Sequence, residues 1–167
     1  MEAMSSDNPT GDQTPDPQQT PGTPQTFYEL FGGADTFTRL VKRFYEGVAD
    51  DPPLRALYPE EDLGPAENRL RMFLEQYWGG PTTYGEQRGH PRLRMRHMPF
   101  AVTPDMRERW LRHMRDAIDE LELPLEQDRM LWDYLSRAAY AMVNTFDESG
   151  PDQPTPGLTI GSGRPPA

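Results

Sequence analysis

The chain has 167 residues, the size of one ordinary domain, and carries 17 Lys and Arg against 27 Asp and Glu for a net charge of −10 at pH 7. An acidic chain whose one basic stretch runs from Arg88 to Arg96 lacks the electrostatic footprint of a nucleic-acid binder. The absence of cysteine excludes disulfides, thiolate zinc sites, thiol nucleophiles, iron–sulfur clusters and thioether-linked prosthetic groups.

Residues 1–26 contain five prolines, four acidic residues and neither a basic nor an aromatic residue, a composition that cannot bury enough apolar surface to offset chain entropy. They are expected to form a disordered Pro/Thr-rich acidic tail. Residues 147–167, with five more prolines and four glycines, are expected to form a second, Pro/Gly-rich one. The foldable segment is residues 27–146. No apolar run spans a bilayer, and the first basic residue is Arg39, too late for a secretory leader, so the expectation is a cytoplasmic protein without a membrane partner.

Residues 27–31 read as a first short helical piece. Phe37, Leu40, Val41, Phe44 and Val48 then fall at offsets of 0, 3, 4, 7 and 11, one helical face, which predicts a helix over residues 35–48 between Gly32-Gly33 and Pro52-Pro53. A second helix starts at Pro65, carries Ala66, Leu70, Phe73, Leu74 and Tyr77, and stops at Gly79-Gly80-Pro81. Residues 81–91 show no periodicity and predict a long loop. Residues 92–97 fit one or two helical turns, ended by Pro99, which pushes Met98 out of the α region. A third long helix has Thr103 as N-cap and Pro104 in its first turn, and places Met106, Trp110, Met114, Ala117, Ile118 and Leu121 on its inner face. After Pro124 a fourth runs to about Asn144, with Leu131, Tyr134, Leu135, Ala138, Ala141 and Met142 on one side. With no strand-like alternation the fold class is all-α; either a bundle or a globin-like fold fits, and the long loop favours a gap between helices.

With only three histidines, His90, His97 and His113, a three-His zinc site would have to use them all and still fix a water, which argues against one, and no H-E-x-x-H, Walker A or G-x-G-x-x-G pattern is present. Glu60-Glu61-Asp62 lies in a Pro-flanked turn and reads as solvated surface. His97 differs because the last turn of a short helix lets one ring nitrogen donate to a helix carbonyl, leaving the other as a neutral, oriented metal ligand. A helix-end imidazole that merely interacts with the dipole fits the same position, and the residues leave both readings open. His90 and His113 read as surface or supporting residues. Tyr45, Tyr58, Tyr77, Tyr84, Trp78 and Trp110 need hydrogen-bond partners when buried. Each alone could be core filler; three aimed together toward a histidine would make a pocket for a small ligand.

The runs Arg69-Leu-Arg-Met-Phe-Leu-Glu-Gln-Tyr-Trp-Gly-Gly-Pro81 and Gln87-Arg-Gly-His-Pro-Arg-Leu-Arg-Met-Arg-His97, followed by Pro99-Phe100, resemble group II truncated haemoglobins. Phe44-Tyr45 and Tyr58-Pro-Glu-Glu-Asp-Leu63 do so too, and the resemblance covers about residues 27–146. It implies a shortened globin fold, a two-over-two helical sandwich around non-covalent haem b (iron protoporphyrin IX). It makes His97 the proximal iron ligand and puts Tyr45, Tyr58 and Trp110 at the distal hydrogen-bonding positions. Ala66 falls where many globins have a distal histidine, Leu70 and Phe73 on the apolar distal wall, and Arg69, Tyr84 and Arg92 among haem-edge contacts.

Three functions follow. The first is a haemoglobin that binds dioxygen and other diatomic ligands tightly through distal Tyr and Trp, for ligand capture or redox chemistry rather than simple oxygen delivery. The second is a haem enzyme with nitric-oxide dioxygenase or peroxidase-like activity, served by an unidentified reductase because no reductase domain is attached. The third is a non-haem helical interaction module. Monomer and homo-oligomer stay equally open.

Overall fold

The computed structural model describes residues 25–146, so nearly all of both expected tails lies outside the described residues. Among the described residues there are eight helices and no strand. A single turn, α1 (Phe27–Leu30), is capped by Thr26, whose hydroxyl accepts from Glu29 N–H at 3.3 Å. It leads through Gly32, at φ +112°, into α2 (Gly33–Ala49). The Thr36 hydroxyl donates to Phe31 O at 2.7 Å and closes that corner. All five residues of the predicted α2 stripe, Phe37, Leu40, Val41, Phe44 and Val48, are completely buried, each contributing about 1.5–3 kcal/mol of apolar transfer free energy.

Pro52-Pro53, expected only to stop α2, also start a helix of one turn, α3 (Pro52–Arg55). Proline fits there because a first-turn residue needs no N–H donor. The next element is α4 (Gly64–Tyr77), with Pro65 in its first turn. It ends at Gly79, φ +93°, and Gly80, where a Cβ would sit 2.7 Å from the Tyr28 ring. The predicted loop over residues 81–91 contains α5 (Thr83–Arg88), which buries Tyr84. Six residues are too few to show a period; α5 is held from outside, its Gly85 N–H donating to Gln76 Oε1 of α4 at 2.8 Å.

Arg92, at φ +43°, precedes α6 (Leu93–His97). Contrary to expectation Met98 stays in the α region, at φ −55° and ψ −36°, so Pro99 ends the helix by lacking an N–H donor and not by displacing Met98. Thr103 caps α7 (Pro104–Asp119) as expected, its hydroxyl accepting from Met106 N–H at 3.2 Å. The last helix, α8 (Leu125–Met142), stops short of Asn144. On α7, Met114, Ala117 and Ile118 are buried, whereas Met106 and Trp110 are half-buried. On α8, Leu131 and Leu135 are buried, but Ala141 is exposed and Ala139 takes the inner position.

α2 packs against α4 and against α7, and α7 packs against α8, so two helices lie over two; α5 rests on α4, and α6 on α8. The core gathers α2 with Leu74 of α4, Met114 and Ile118 of α7, and Leu131 and Leu135 of α8. It does not fill the space between α4 and α8.

Candidate functional site

A cavity of about 490 Å³ occupies that space, within the range of about 300–1,000 Å³ common for small-molecule and cofactor sites. α4 supplies Ala66, Leu70 and Phe73; α8 supplies Tyr134, Leu135 and Ala138; the lining also includes Tyr45, Tyr58, Trp110, Tyr84 and His97. Arg69, Arg88, Arg96 and Arg107 reach it as well.

His97 is half-buried, and its Nδ1–H donates to Leu93 O at 2.6 Å, one turn back in α6. That bond selects the tautomer whose Nε2 carries a free lone pair, and Nε2 has no hydrogen-bond partner among the described residues. α6 is tethered at its start by Arg96, whose guanidinium donates to Pro91 O at 2.7 Å and to Arg88 O at 2.9 Å. His90 is exposed, with Nδ1 accepting from Arg92 N–H at 3.2 Å. His113, expected at the surface or in support, is mostly buried and bonds Asp51 Oδ2 through Nε2 at 2.8 Å. Arg109 donates to the other carboxylate oxygen at 3.0 Å.

Three aromatic donors cluster on the cavity. Phe44 lies between Tyr45 and Trp110, with ring centroids 5.0 Å from each, and Tyr58 stands edge-on to Tyr45 at 5.7 Å. Burial pushes the Tyr45 phenol far above its ordinary value and the Tyr58 phenol up to about 12. Both therefore keep their protons at neutral pH and can donate. The corner that carries Tyr58 is clamped by Arg55, whose guanidinium donates to the carbonyls of Tyr58 at 2.9 Å, Glu60 at 2.6 Å and Glu61 at 2.9 Å. Nothing in the sequence pattern signals that role, because the acceptors are backbone groups that only the turn brings together.

Glu60 corrects an expectation. It is a half-buried residue of the cavity lining, paired with Arg69 at 2.5 Å, with Oε2 buried and without a partner among the described residues. Tyr84 is buried edge-on to Phe73 at 5.6 Å. Arg92 is exposed and is not among the residues that line the cavity; Arg88 and Arg96, not singled out from sequence, line it instead. Tyr77 is half exposed and stacks on Tyr134 at 3.8 Å, while Trp78 packs on both and leaves Nε1 buried without a partner among the described residues.

The family model described as bacterial-like globin matches residues 26–144. The chain belongs to the bacterial-like globin family. Within it the similarity is to group II truncated haemoglobins. The group 2 truncated hemoglobin YjbI of Bacillus subtilis is 41% identical over 117 residues, 70% of this chain and 87% of that protein. A thermostable hemoglobin of the actinobacterium Thermobifida fusca superposes with a TM-score of 0.71 at 67% identity, covering 72% of this chain and 98% of that one. A truncated oxygen-avid haemoglobin from Bacillus subtilis superposes with a TM-score of 0.68 at 40% identity, covering 72% and 100%.

As a globin, this truncated haemoglobin binds haem, and the reading as a non-haem interaction module falls away. The residues present suit the group: a mostly apolar cavity, an imidazole with one nitrogen committed and one unbonded, buried aromatic donors, and arginines for carboxylates. Among the described residues no helix is long and apolar enough to cross a membrane.

Proposed function

We propose that this truncated haemoglobin holds haem b through His97 as proximal iron ligand and retains dioxygen by hydrogen bonds from Tyr45, Tyr58 and Trp110. Its role is ligand capture or redox chemistry rather than simple oxygen delivery. The observation that carries the proposal is that one cavity is lined both by the His97 imidazole, with Nδ1 engaged and Nε2 unbonded, and by three aromatic donors. Haem, when bound, supplies the iron that takes a diatomic ligand.

The chain's residues do the rest. Leu93 O keeps the His97 proton on Nδ1, and the raised phenol values keep Tyr45 and Tyr58 protonated as donors. Ala66 leaves room and offers no imidazole, so stabilisation of a ligand that gains negative charge falls to phenol and indole. Leu70 and Phe73 exclude water, and Arg69 and Tyr84, with Arg88 and Arg96, are the candidates for the propionate edge. The description of the Bacillus subtilis neighbour as oxygen-avid supports the same reading.

Stopped-flow oxygen dissociation tests it. Each donor bond should contribute about 1–1.5 kcal/mol, so Tyr58→Phe and Trp110→Phe should each release oxygen up to about tenfold faster than the wild type. Unchanged rates in both would remove these side chains from ligand retention. Hemin titration of His97→Ala should fail to reproduce the ferrous five-coordinate spectrum of the wild type; an identical spectrum would mean another residue binds the iron.

A further inference from the structure

A helix as short as α6, with five residues and none buried, does not hold itself together in water. Its last carbonyls cannot all be satisfied by further turns: Met98 keeps α-region backbone, but Pro99 has no N–H to donate back. The sequence suggested that α8 runs to about Asn144; it ends at Met142 instead, and Asn144 turns back onto α6. The Asn144 side-chain amide donates from Nδ2 to His97 O at 3.1 Å and to Phe100 O at 3.0 Å. Its Oδ1 accepts from Val102 N–H at 3.0 Å and from the Thr145 hydroxyl at 2.8 Å. Its own backbone N–H donates to Val102 O at 3.0 Å. An exposed asparagine thus turns both ends of its side-chain amide to one segment, residues 97–102, three positions of which it grips.

We infer that Asn144 is a positioning residue for His97, tying the carbonyl end of α6 to the end of α8 and so setting where the imidazole stands in the cavity. This rests on the reading of His97 as the iron ligand. The ring is then held from two sides. Leu93 O fixes its rotation from within α6. Asn144 fixes the backbone that carries it relative to α8, the helix that supplies Leu135 and Ala138 to the cavity wall. Loss of the two amide donors leaves His97 O with only the turn bond from Phe100 N at 3.0 Å, and the imidazole gains freedom to tilt.

The test uses the full chain reconstituted with hemin and five variants: Asn144→Ala, Asn144→Asp, Thr145→Val, His97→Gly and His97→Gly combined with Asn144→Ala. Asp retains an acceptor for Val102 N–H but has no donor for the two carbonyls; Thr145→Val removes a neighbouring hydroxyl and leaves both donors. Resonance Raman of the ferrous protein reads the iron–imidazole stretch, and transfer of hemin to excess apomyoglobin reads retention. Both Asn144 variants should shift or broaden the stretch and release hemin about tenfold faster, the equivalent of one to two lost hydrogen bonds. Thr145→Val should match the wild type. In His97→Gly loaded with free imidazole, adding Asn144→Ala should no longer change the stretch, since that ligand has no backbone to hold.

Folded Asn144 variants with wild-type stretch and hemin release overturn the inference, as does an effect that persists with free imidazole. If Asn144→Ala does not fold, Asn144→Asp, which keeps the acceptor and loses only the donors, decides by the same two readouts. A wild-type protein with no iron–imidazole stretch, or a His97→Gly variant that keeps it without added imidazole, overturns the His97 reading itself and this inference with it.

Discussion

The two parts of the cavity lining that carry chemistry are held by different physics. Tyr45 and Trp110 stand on α2 and α7, around a fully buried Phe44 and next to an α2 stripe with no exposed member. The helices cross closely because residue 47 is glycine: a Cβ there would lie 2.5 Å from His113 Nδ1. The same His113, with Arg109, ties α7 to the buried carboxylate of Asp51 at the end of α2. His97, by contrast, sits on a helix with no buried residue, held by polar tethers from Arg96 and Asn144 to backbone carbonyls. Packing fixes the donors; a few hydrogen bonds fix the imidazole. The difference teaches that substitutions on the α2–α7 side should register as global stability, and those on the α6 side as hemin retention with little change in unfolding.

The most severe way to break this comparison is Phe44→Ala, which should cost about 3–5 kcal/mol in denaturant unfolding and displace both neighbouring aromatics; a loss comparable to that from any α6 substitution would erase the distinction. Next is Gly47→Ala, expected to cost about 1–3 kcal/mol through overpacking, since the added methyl drives His113 off Asp51. A proton chemical-shift change at the His113 ring would trace the loss to that contact. On the other side, Arg96→Met removes two donors to backbone carbonyls and should lower unfolding free energy by only about 0.5–1.5 kcal/mol, with hemin release the more sensitive measure.

The gentlest test is pH. Burial alone would raise the Asp51 carboxyl, but hydrogen bonds from His113 and Arg109 and the Arg109 charge outweigh it and hold the group below its ordinary value of 3.8. A carboxylate lowered by folding contributes stability that is fully present well above that ordinary value and is lost as pH falls toward and through the folded one. Acid titration of unfolding should therefore show a falling limb below about pH 5 that is shallower in Asp51→Asn; identical limbs would mean the cluster contributes nothing to acid stability.

The long helices were legible because their burial is periodic. The α2 stripe read from spacing is the buried stripe, and Thr103 caps α7 where a Thr-Pro start was expected. α8 was read less well: its inner face meets a cavity as much as a core, so Ala139 and Ala141 exchange places with little change in apolar pattern. Two short helices escaped, α3 because its prolines look like a stop and α5 because six residues hold no period, whereas α1 and α6 stand where residues 27–31 and 92–97 were read as helical. Of the site, the helix-end setting of His97 was visible in Arg92 to Pro99. Arg55, Asp51 and Asn144 were not, since Arg55 grips backbone carbonyls that only its turn brings together, and Asp51 and Asn144 meet groups from distant segments, Asn144 a carbonyl 47 residues away.

By itself the sequence determined the family, the apolar faces of the long helices, the breaks between most of them, and an imidazole at the end of a short helix. Only the tertiary structure decided that α4 and α8 leave a cavity, that Arg88 and Arg96 rather than Arg92 line it, and that an exposed asparagine grips the His97 segment. The reason is physical. Burial along one helix repeats every 3.6 residues and is written in the spacing of apolar side chains, whereas a polar contact between distant segments depends on where the helices cross, which no local pattern records.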